Sequence, residues 1–467
     1  MTTPTTPAAS TVDIIGNVRG PVLRPGDEGY DAERGGFQAF RRHEPEVIVG
    51  ATGADDVRHA VAFAAAQGLP VAVLGTGHAP VAPEPGGLLI TTSRMAGVRV
   101  DPERSTAVVA AGTTWAEVID AAAAHGLAPL AGSAPHVAAV PYVLGGGLSL
   151  LSRRYGYAAD HVRSLDVVTA DGEPRHVTAE SEPDLFWALR GGGGNLGVVT
   201  RMEIDLVPVT RLYGGGLFFD TPLLGAALRA WCRWAEDAPE EVTSSVALVP
   251  FPDVPGVPEP LRGRHVAHVR IAHLGDAASG ERLVAPLRAV GPRLLDTLDE
   301  LPATAVGSIY DDPKGPLPSL SGNLLLRDLD DAGVDTLLDL AGPGNPGPLI
   351  VEVRQLGGAL ARPPAVANAV GHRDAGYLLG FVDPLPSATP TEAEVTEVRR
   401  RQRHFEHAVA PWSTGGRFLN FLGGDGTTPE ITRTAFTAAD HQRLTRLKTH
   451  YDPHNLLRRN PNIPPTP

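Results

Sequence analysis

The chain has 467 residues, 42% hydrophobic and 20% charged, a balance that excludes a disordered or fibrous protein and leaves length for two domains with separate cores. The 53 Asp and Glu residues outnumber the 40 Lys and Arg, for a formal charge of −13. No cluster of Lys and Arg is dense enough to follow a phosphate backbone, so nucleic acid is excluded as a partner.

The first residues, MTTPTTPAAS, carry neither a basic nor an apolar signal region, and Arg41 and Arg42 lie too deep for a twin-arginine signal. No apolar run reaches membrane-spanning length. The expectation is a cytoplasmic protein without membrane contact, with residues 1–40 as a partly flexible lead-in.

From Val47 to Val209, β-rich runs such as VAVL (71–74), LLITT (88–92) and TAVVAAG (106–112) alternate with helical stretches. Helices are predicted over Asp55 to Gln67, after a Thr/Gly/Asp start signal, and over Trp115 to His125, stopped by Gly126. Beyond Pro208, proline clusters at 250–260, 313–318 and 343–348 interrupt longer segments. Candidate strands there are SSVALVPF (244–251), HVAHVRIAHL (265–274) and LIVEVRQL (349–356), whose partial alternation predicts an antiparallel sheet with one face covered by helices. An amphipathic helix over Ala438 to Tyr451 runs into DPHNLLRRNPNIPP, which is too rich in proline to continue it.

The single cysteine, Cys232, rules out an internal disulfide framework and a multi-cysteine metal site, and reads as a small buried hydrophobe. Three glycine-rich segments follow strands, where backbone N–H groups are able to approach a diphosphate: LGTGHAP (74–80), GSAPHVAAVPYVLGGGLS (132–149) and RGGGGNLGVVT (190–200). The third lacks a clean G-x-G-x-x-G with a following helix and leads into a strand instead. Taken alone, His78 in its Gly-flanked loop reads equally as a turn residue or a satisfied polar group.

The ordered set VLGTGHAP, LLITTSRM, GSAPHV, LGGGLSLLSRRYGYAADHV, DLFWALRGGGGNLGVVT and YDPHNLLRRNPNI resembles the berberine bridge enzyme-like flavin oxidoreductases, within the group whose FAD-binding domain is of the p-cresol methylhydroxylase or vanillyl-alcohol oxidase type. The likeness implies an α+β protein: a two-part FAD-binding domain over 41–209 and 426–467, and a substrate domain over 210–425 with a helix-covered antiparallel sheet. It also implies FAD bonded through an imidazole nitrogen of His78 to the flavin 8α-methyl, which raises the reduction potential of the cofactor. Cofactor contacts would come from Leu74, Gly75, Thr76, Gly77, Ala79, Gly132, Ser133, Val137, Tyr142, Gly146, Gly197, Val198, Val199, Asn460 and Asn462.

Several positions depart from the family. Ala134 stands where many members carry a second linking cysteine, so the resemblance implies one covalent bond. Val137 occupies the position thought to control access of O₂, and a valine there resembles the oxidases. Tyr142 would hydrogen-bond the pyrimidine edge of the flavin. Phe418, Leu419 and Asn420 replace a Tyr-x-Asn motif whose tyrosine often serves as base, and phenylalanine accepts no proton. Substitute catalytic residues would come from Gln355, Tyr377, His372 and Tyr310, of which only tyrosine and histidine serve as bases. Pro461 replaces a more usual glutamine between the two asparagines. The expected activity is an oxidase removing a hydride from an alcohol, a sugar or a natural-product intermediate, with O₂ as acceptor. The alternatives are a flavin-dependent dehydrogenase, a cyclase or lyase without net redox change, and a binding module that has lost flavin, against which His78 and the glycine-rich segments argue.

Overall fold

The short runs Val47–Gly50, Leu88–Thr91 and Val71–Leu74 are buried at nearly every position, the pattern of strands covered on both faces, and they pair in parallel. Val22–Leu23 adds an antiparallel edge to this first sheet. The computed structural model describes residues 17–40, 42–78, 85–345, 349–423 and 427–466. Residues 1–16 of the lead-in expected over 1–40, Arg41 and the cofactor contact at Ala79 therefore lie outside the described residues.

Helix Ala54–Gln67 packs Val57, Ala60, Val61 and Ala64 on this sheet and ends on Gly68, whose φ of 65° suits a residue without a Cβ. A second, antiparallel sheet places Val98–Asp101, Thr106–Ala110, Gly197–Asp205, Val162–Thr169 and Pro174–Val177 side by side. Helix Trp115–Ala123 starts at a capping box between Thr114 and Glu117 and stops two residues before the predicted His125.

The third sheet has eight strands. Its order is Leu295–Asp296, Arg211–Phe219, His265–His273, Val242–Pro250, Ile350–Gln355, Tyr377–Pro384 and Ser319–Leu326, with Asp299–Pro302 also paired to Arg211–Phe219. Every pairing in it is antiparallel. Alternation sorts the side chains: Val269, Ile271, Val246, Val351, Val353 and Leu379 turn toward helices Leu224–Glu236, Ala277–Arg288, Asp331–Ala341 and Glu392–Val409. The opposite face turns toward the first two sheets. Cys232 is buried on the helix side, as its sequence reading expected.

The chain then returns. Helix Ala438–Tyr451 delivers Lys448, whose buried ammonium donates to the Asn195 and Leu457 carbonyls and pairs with Asp452 at 2.6 Å. Leu456 accepts a hydrogen bond from the backbone of Val71, so the C-terminal segment closes on the first sheet. Among the described residues, no helix is long and apolar enough to cross a membrane and no group of His, Cys, Asp or Glu is set to hold a metal ion.

Candidate active site

A cavity of about 2140 Å³ lies between the glycine-rich segments and the open face of the eight-stranded sheet. Sites for drug-sized ligands usually occupy about 300–1,000 Å³, so this space accommodates a dinucleotide cofactor and a substrate together.

One wall is the loop after Val71–Leu74, where Leu74, Gly75, Thr76, Gly77 and His78 all line the cavity. Gly77 has a φ of 69°, and its Cα face meets Gly36 so closely that a Cβ would fall 2.8 Å from the Gly36 Cα. The N–H groups of Thr76, Gly77 and His78 donate to no acceptor among the described residues. Thr76 Oγ1 accepts the Ala138 N–H and sits 2.9 Å from His78 Nδ1, while His78 Nε2 is buried without a partner. Burial, helped by the neighbouring His136, pulls the His78 pKa down to about 4, so the ring is neutral at pH 7.

The second wall runs from Gly132 through Tyr142. Ser133 and Val137 line the cavity, with Ser133 Oγ donating to Asp312 at 2.6 Å. Tyr142 sits in the short helix Ala139–Leu144. Its ring is sandwiched: a Cβ on Gly132 would come within 2.9 Å of it and one on Gly147 within 2.6 Å. The Tyr142 hydroxyl is buried with no partner, and burial raises its pKa well above the usual phenol value. Gly197, Val198 and Val199 line the floor.

Asn460 also faces the cavity, donating to the Gly194 and Leu457 carbonyls, with its Oδ1 unpartnered. Four buried polar atoms on these walls thus lack partners: His78 Nε2, His136 Nε2, Tyr142 Oη and Asn460 Oδ1. Buried polar groups are rarely left so, and together with the open N–H groups they fit a ligand bearing both donors and acceptors along its length.

Other expected contacts sit elsewhere. Gly146 is outside the cavity lining, and its φ of 113° serves packing against Phe418 and Val370. Asn462 does not line the cavity either, although its Oδ1 is buried without a partner. Gln355 and Tyr377 are register partners on the helix-facing side of the sheet, a consequence of their odd position in the alternation. Gln355 there bonds Ser244 at 3.0 Å and the Ala235 carbonyl, and Tyr377 packs on Trp231. His372 bonds the Thr434 carbonyl at 3.0 Å, away from the cavity, and neighbouring Arg373 anchors Asp160 at 2.6 Å. Asn420 lines the cavity, but both ends of its amide hold backbone: Oδ1 accepts from Gly147 and Nδ2 donates to the Tyr142 carbonyl.

Of the four substitutes named for the missing tyrosine, only Tyr310 reaches the cavity. Its hydroxyl lies 2.9 Å from Ser245 Oγ, and burial pushes its pKa up to about 12. Beside it stands a group that the sequence reading missed, Arg270, Glu352 and Arg354. Their signal was present in HVAHVRIAHL and LIVEVRQL, where polar residues alternate with Val and Ile on a strand otherwise apolar.

Residues 45–178 match the FAD binding domain family, and residues 417–464 match the family described as berberine and berberine like. Both matched regions are those of berberine-like FAD-linked oxidoreductases, which the chain resembles. This berberine-like chain is 28% identical to (R)-6-hydroxynicotine oxidase of Paenarthrobacter nicotinovorans, over 96% of its own length and 97% of the relative's. It is 25% identical to the FAD-linked oxidoreductase YgaK of Bacillus subtilis, over 96% and 97% of the two chains. Its fold matches 6-hydroxy-D-nicotine oxidase of Arthrobacter nicotinovorans with a TM-score of 0.81 at 23% identity, covering 96% and 98%. Glucooligosaccharide oxidase of Acremonium strictum, described as carrying 6-S-cysteinyl, 8α-N1-histidyl FAD, matches with a TM-score of 0.83 at 21% identity, covering 96% and 97%. The berberine-like protein is accordingly an FAD-dependent oxidoreductase of mixed α and β structure.

Proposed function

We propose that the protein is an oxidase that holds FAD through one covalent bond at His78 and removes a hydride from carbon in a small organic substrate, with O₂ as acceptor. The observation that carries the attachment is the state of His78: a neutral imidazole in the cavity, braced at Nδ1 by Thr76, with Nε2 buried and unpartnered. A neutral ring has the lone pair that bond formation requires. Ala134 offers no second attachment point. When bound, the flavin supplies a two-electron acceptor able to take a hydride and pass the electrons to O₂ as H₂O₂.

The residues of the chain prepare that chemistry. The N–H groups of Thr76, Gly77 and His78 suit an anionic linkage of the cofactor. Tyr142 has a hydroxyl ready to donate where negative charge would otherwise be uncompensated. Asn420 ties the end of the helix that carries Tyr142 to Gly147. Residues 41–209 with 426–467 would form the cofactor part and 210–425 the substrate part.

Phe418 favours a second reading. It lines the cavity with a ring that holds no proton, and its backbone is pinned at both N–H and C=O by Asn323. With no base at that position, a substrate whose hydroxyl or carbon is already acidic is favoured, and dehydrogenase or non-redox chemistry becomes the competing activity. Mixing substrate-reduced protein with O₂ in a stopped-flow instrument separates them: rapid reoxidation with H₂O₂ release is expected, and negligible reoxidation would transfer the assignment to a dehydrogenase.

A further inference from the structure

The cavity wall opposite the glycine-rich loops carries an excess of fixed positive charge. Register places Arg270 and Arg354 on either side of Ser245, on three adjacent strands and on the face that lines the cavity. Glu352, one row along, accepts from both: Arg270 Nη1 at 2.9 Å, and Arg354 through Nε at 2.9 Å and Nη2 at 2.8 Å. Two guanidiniums thus share one carboxylate.

Among the described residues, no carboxylate other than Glu352 forms an ion pair with either guanidinium. His268 accepts Arg270 Nε at 3.1 Å, and burial beside Arg270 keeps it neutral. Tyr310 is a neutral phenol whose ring lies 4.4 Å from the Arg270 guanidinium carbon and 5.1 Å from that of Arg354, which orients both planar groups. Asp312 also lines the cavity and favours the charged form of Arg354 from a distance, but its carboxylate is engaged by Ser133 and forms no ion pair with either arginine. The three side chains are 11%, 15% and 17% exposed for Arg270, Glu352 and Arg354, so solvent screens them poorly. Arg270 Nη2 and Arg354 Nη1 have no acceptor among the described residues.

We propose that Arg270 and Arg354 form an anion subsite that selects substrates bearing a carboxylate, held by the two open guanidinium N–H edges over the Tyr310 ring. Arginine presents its donors in a planar fork that suits a carboxylate, and an entering anion balances the charge that Glu352 leaves uncovered. A protonated amine entering there would face the same excess as repulsion. The inference deepens the reading of this cavity as the substrate site and rests on it.

Calorimetric titration with benzoate, benzyl alcohol and benzylamine tests the subsite without turnover, on the protein as purified. Benzoate is expected to bind at least tenfold tighter than the other two, and Arg270→Met and Arg354→Met are each expected to weaken it by tenfold or more. Glu352→Gln, which removes the competing carboxylate, is expected to tighten benzoate severalfold, a direction that misfolding does not produce. Equal affinity for the three probes, or a Glu352→Gln protein that fails to bind benzoate more tightly, would overturn the proposal. Flavin content is read from the visible spectrum of the same preparation. The expected benzoate pattern in a flavin-free protein would sink the oxidase reading and leave the subsite standing, whereas flavin without the pattern would sink the subsite alone.

Discussion

Phe37 stacks on His78, with ring centroids 4.2 Å apart and planes 11° from parallel, so the proposed attachment residue is held flat by an aromatic ring from the segment between Val22–Leu23 and Val47–Gly50. His136 approaches the same imidazole at 4.9 Å. Stacked aromatic pairs contribute about 0.5–1.5 kcal/mol beyond burial. Phe37→Ala is therefore expected to slow covalent attachment severalfold while leaving FAD able to bind. The check is a time course of covalently bound flavin after adding FAD to cofactor-free protein; an unchanged rate would remove Phe37 from the account.

The neutral His78 ring also makes a prediction about pH. Its pKa in the folded chain, about 4, lies below the ordinary 6.5, so the unfolded chain takes up a proton first as pH falls. Stability is then fully present above pH 6.5 and declines toward pH 4, by about 1–3 kcal/mol from this residue alone. His136, His265, His268 and His273 shift in the same direction and deepen the loss. Thermal melts of cofactor-free protein are expected to fall between pH 6.5 and 5, with a shallower slope for His78→Gln. A slope identical to the wild type would contradict the neutral, buried imidazole.

Tyr142 allows a test with two opposite signs. An unpartnered buried hydroxyl costs about 1–3 kcal/mol, so Tyr142→Phe is expected to leave cofactor-free protein as stable or more stable. The same change is expected to weaken retention of FAD severalfold in His78→Ala protein, where no covalent bond masks it. Melting temperature and FAD titration read the two effects separately, and a loss of stability without a loss of affinity would assign the hydroxyl a packing role instead.

The return of the C-terminal segment depends on one buried ion pair. Lys448 is fully buried, and its ammonium has Asp452 and two carbonyls as partners. Removing one member of such a pair leaves the other charge uncompensated, at about 3–5 kcal/mol. Lys448→Met is expected to lower the unfolding midpoint markedly and to expose the Asn460 segment to proteolysis, whereas Lys448→Met with Asp452→Leu is expected to recover much of the loss. Failure of the double variant to recover would locate the cost in the carbonyl contacts.

The parts of this molecule that sequence made legible are those with a local cause. Trp115 to Ala123 was legible from the Gly126 stop, Val71 to Leu74 from its apolar run, and the His78 loop from the glycines around it. The sheet in the second half was legible as a sheet with a helix-covered face, but which residues turn to which face was not. Gln355 and Tyr377 are separated from Glu352 and Arg354 by one step of the strand alternation, and that step moves a side chain from the cavity to the helix layer. Tyr310 reaches the cavity only through the 3₁₀ segment Ala303–Ile309, which packs Gly307 against Pro135, a contact between distant segments that no local pattern announces.

The central claim is the bond between His78 and the flavin, and mass spectrometry of the denatured protein tests it most directly. The account predicts an adduct of FAD size on the wild-type chain, located to the peptide containing His78, and its complete absence in His78→Ala. A wild-type chain at its unmodified mass after expression with saturating FAD, or an adduct that survives in His78→Ala, would contradict it.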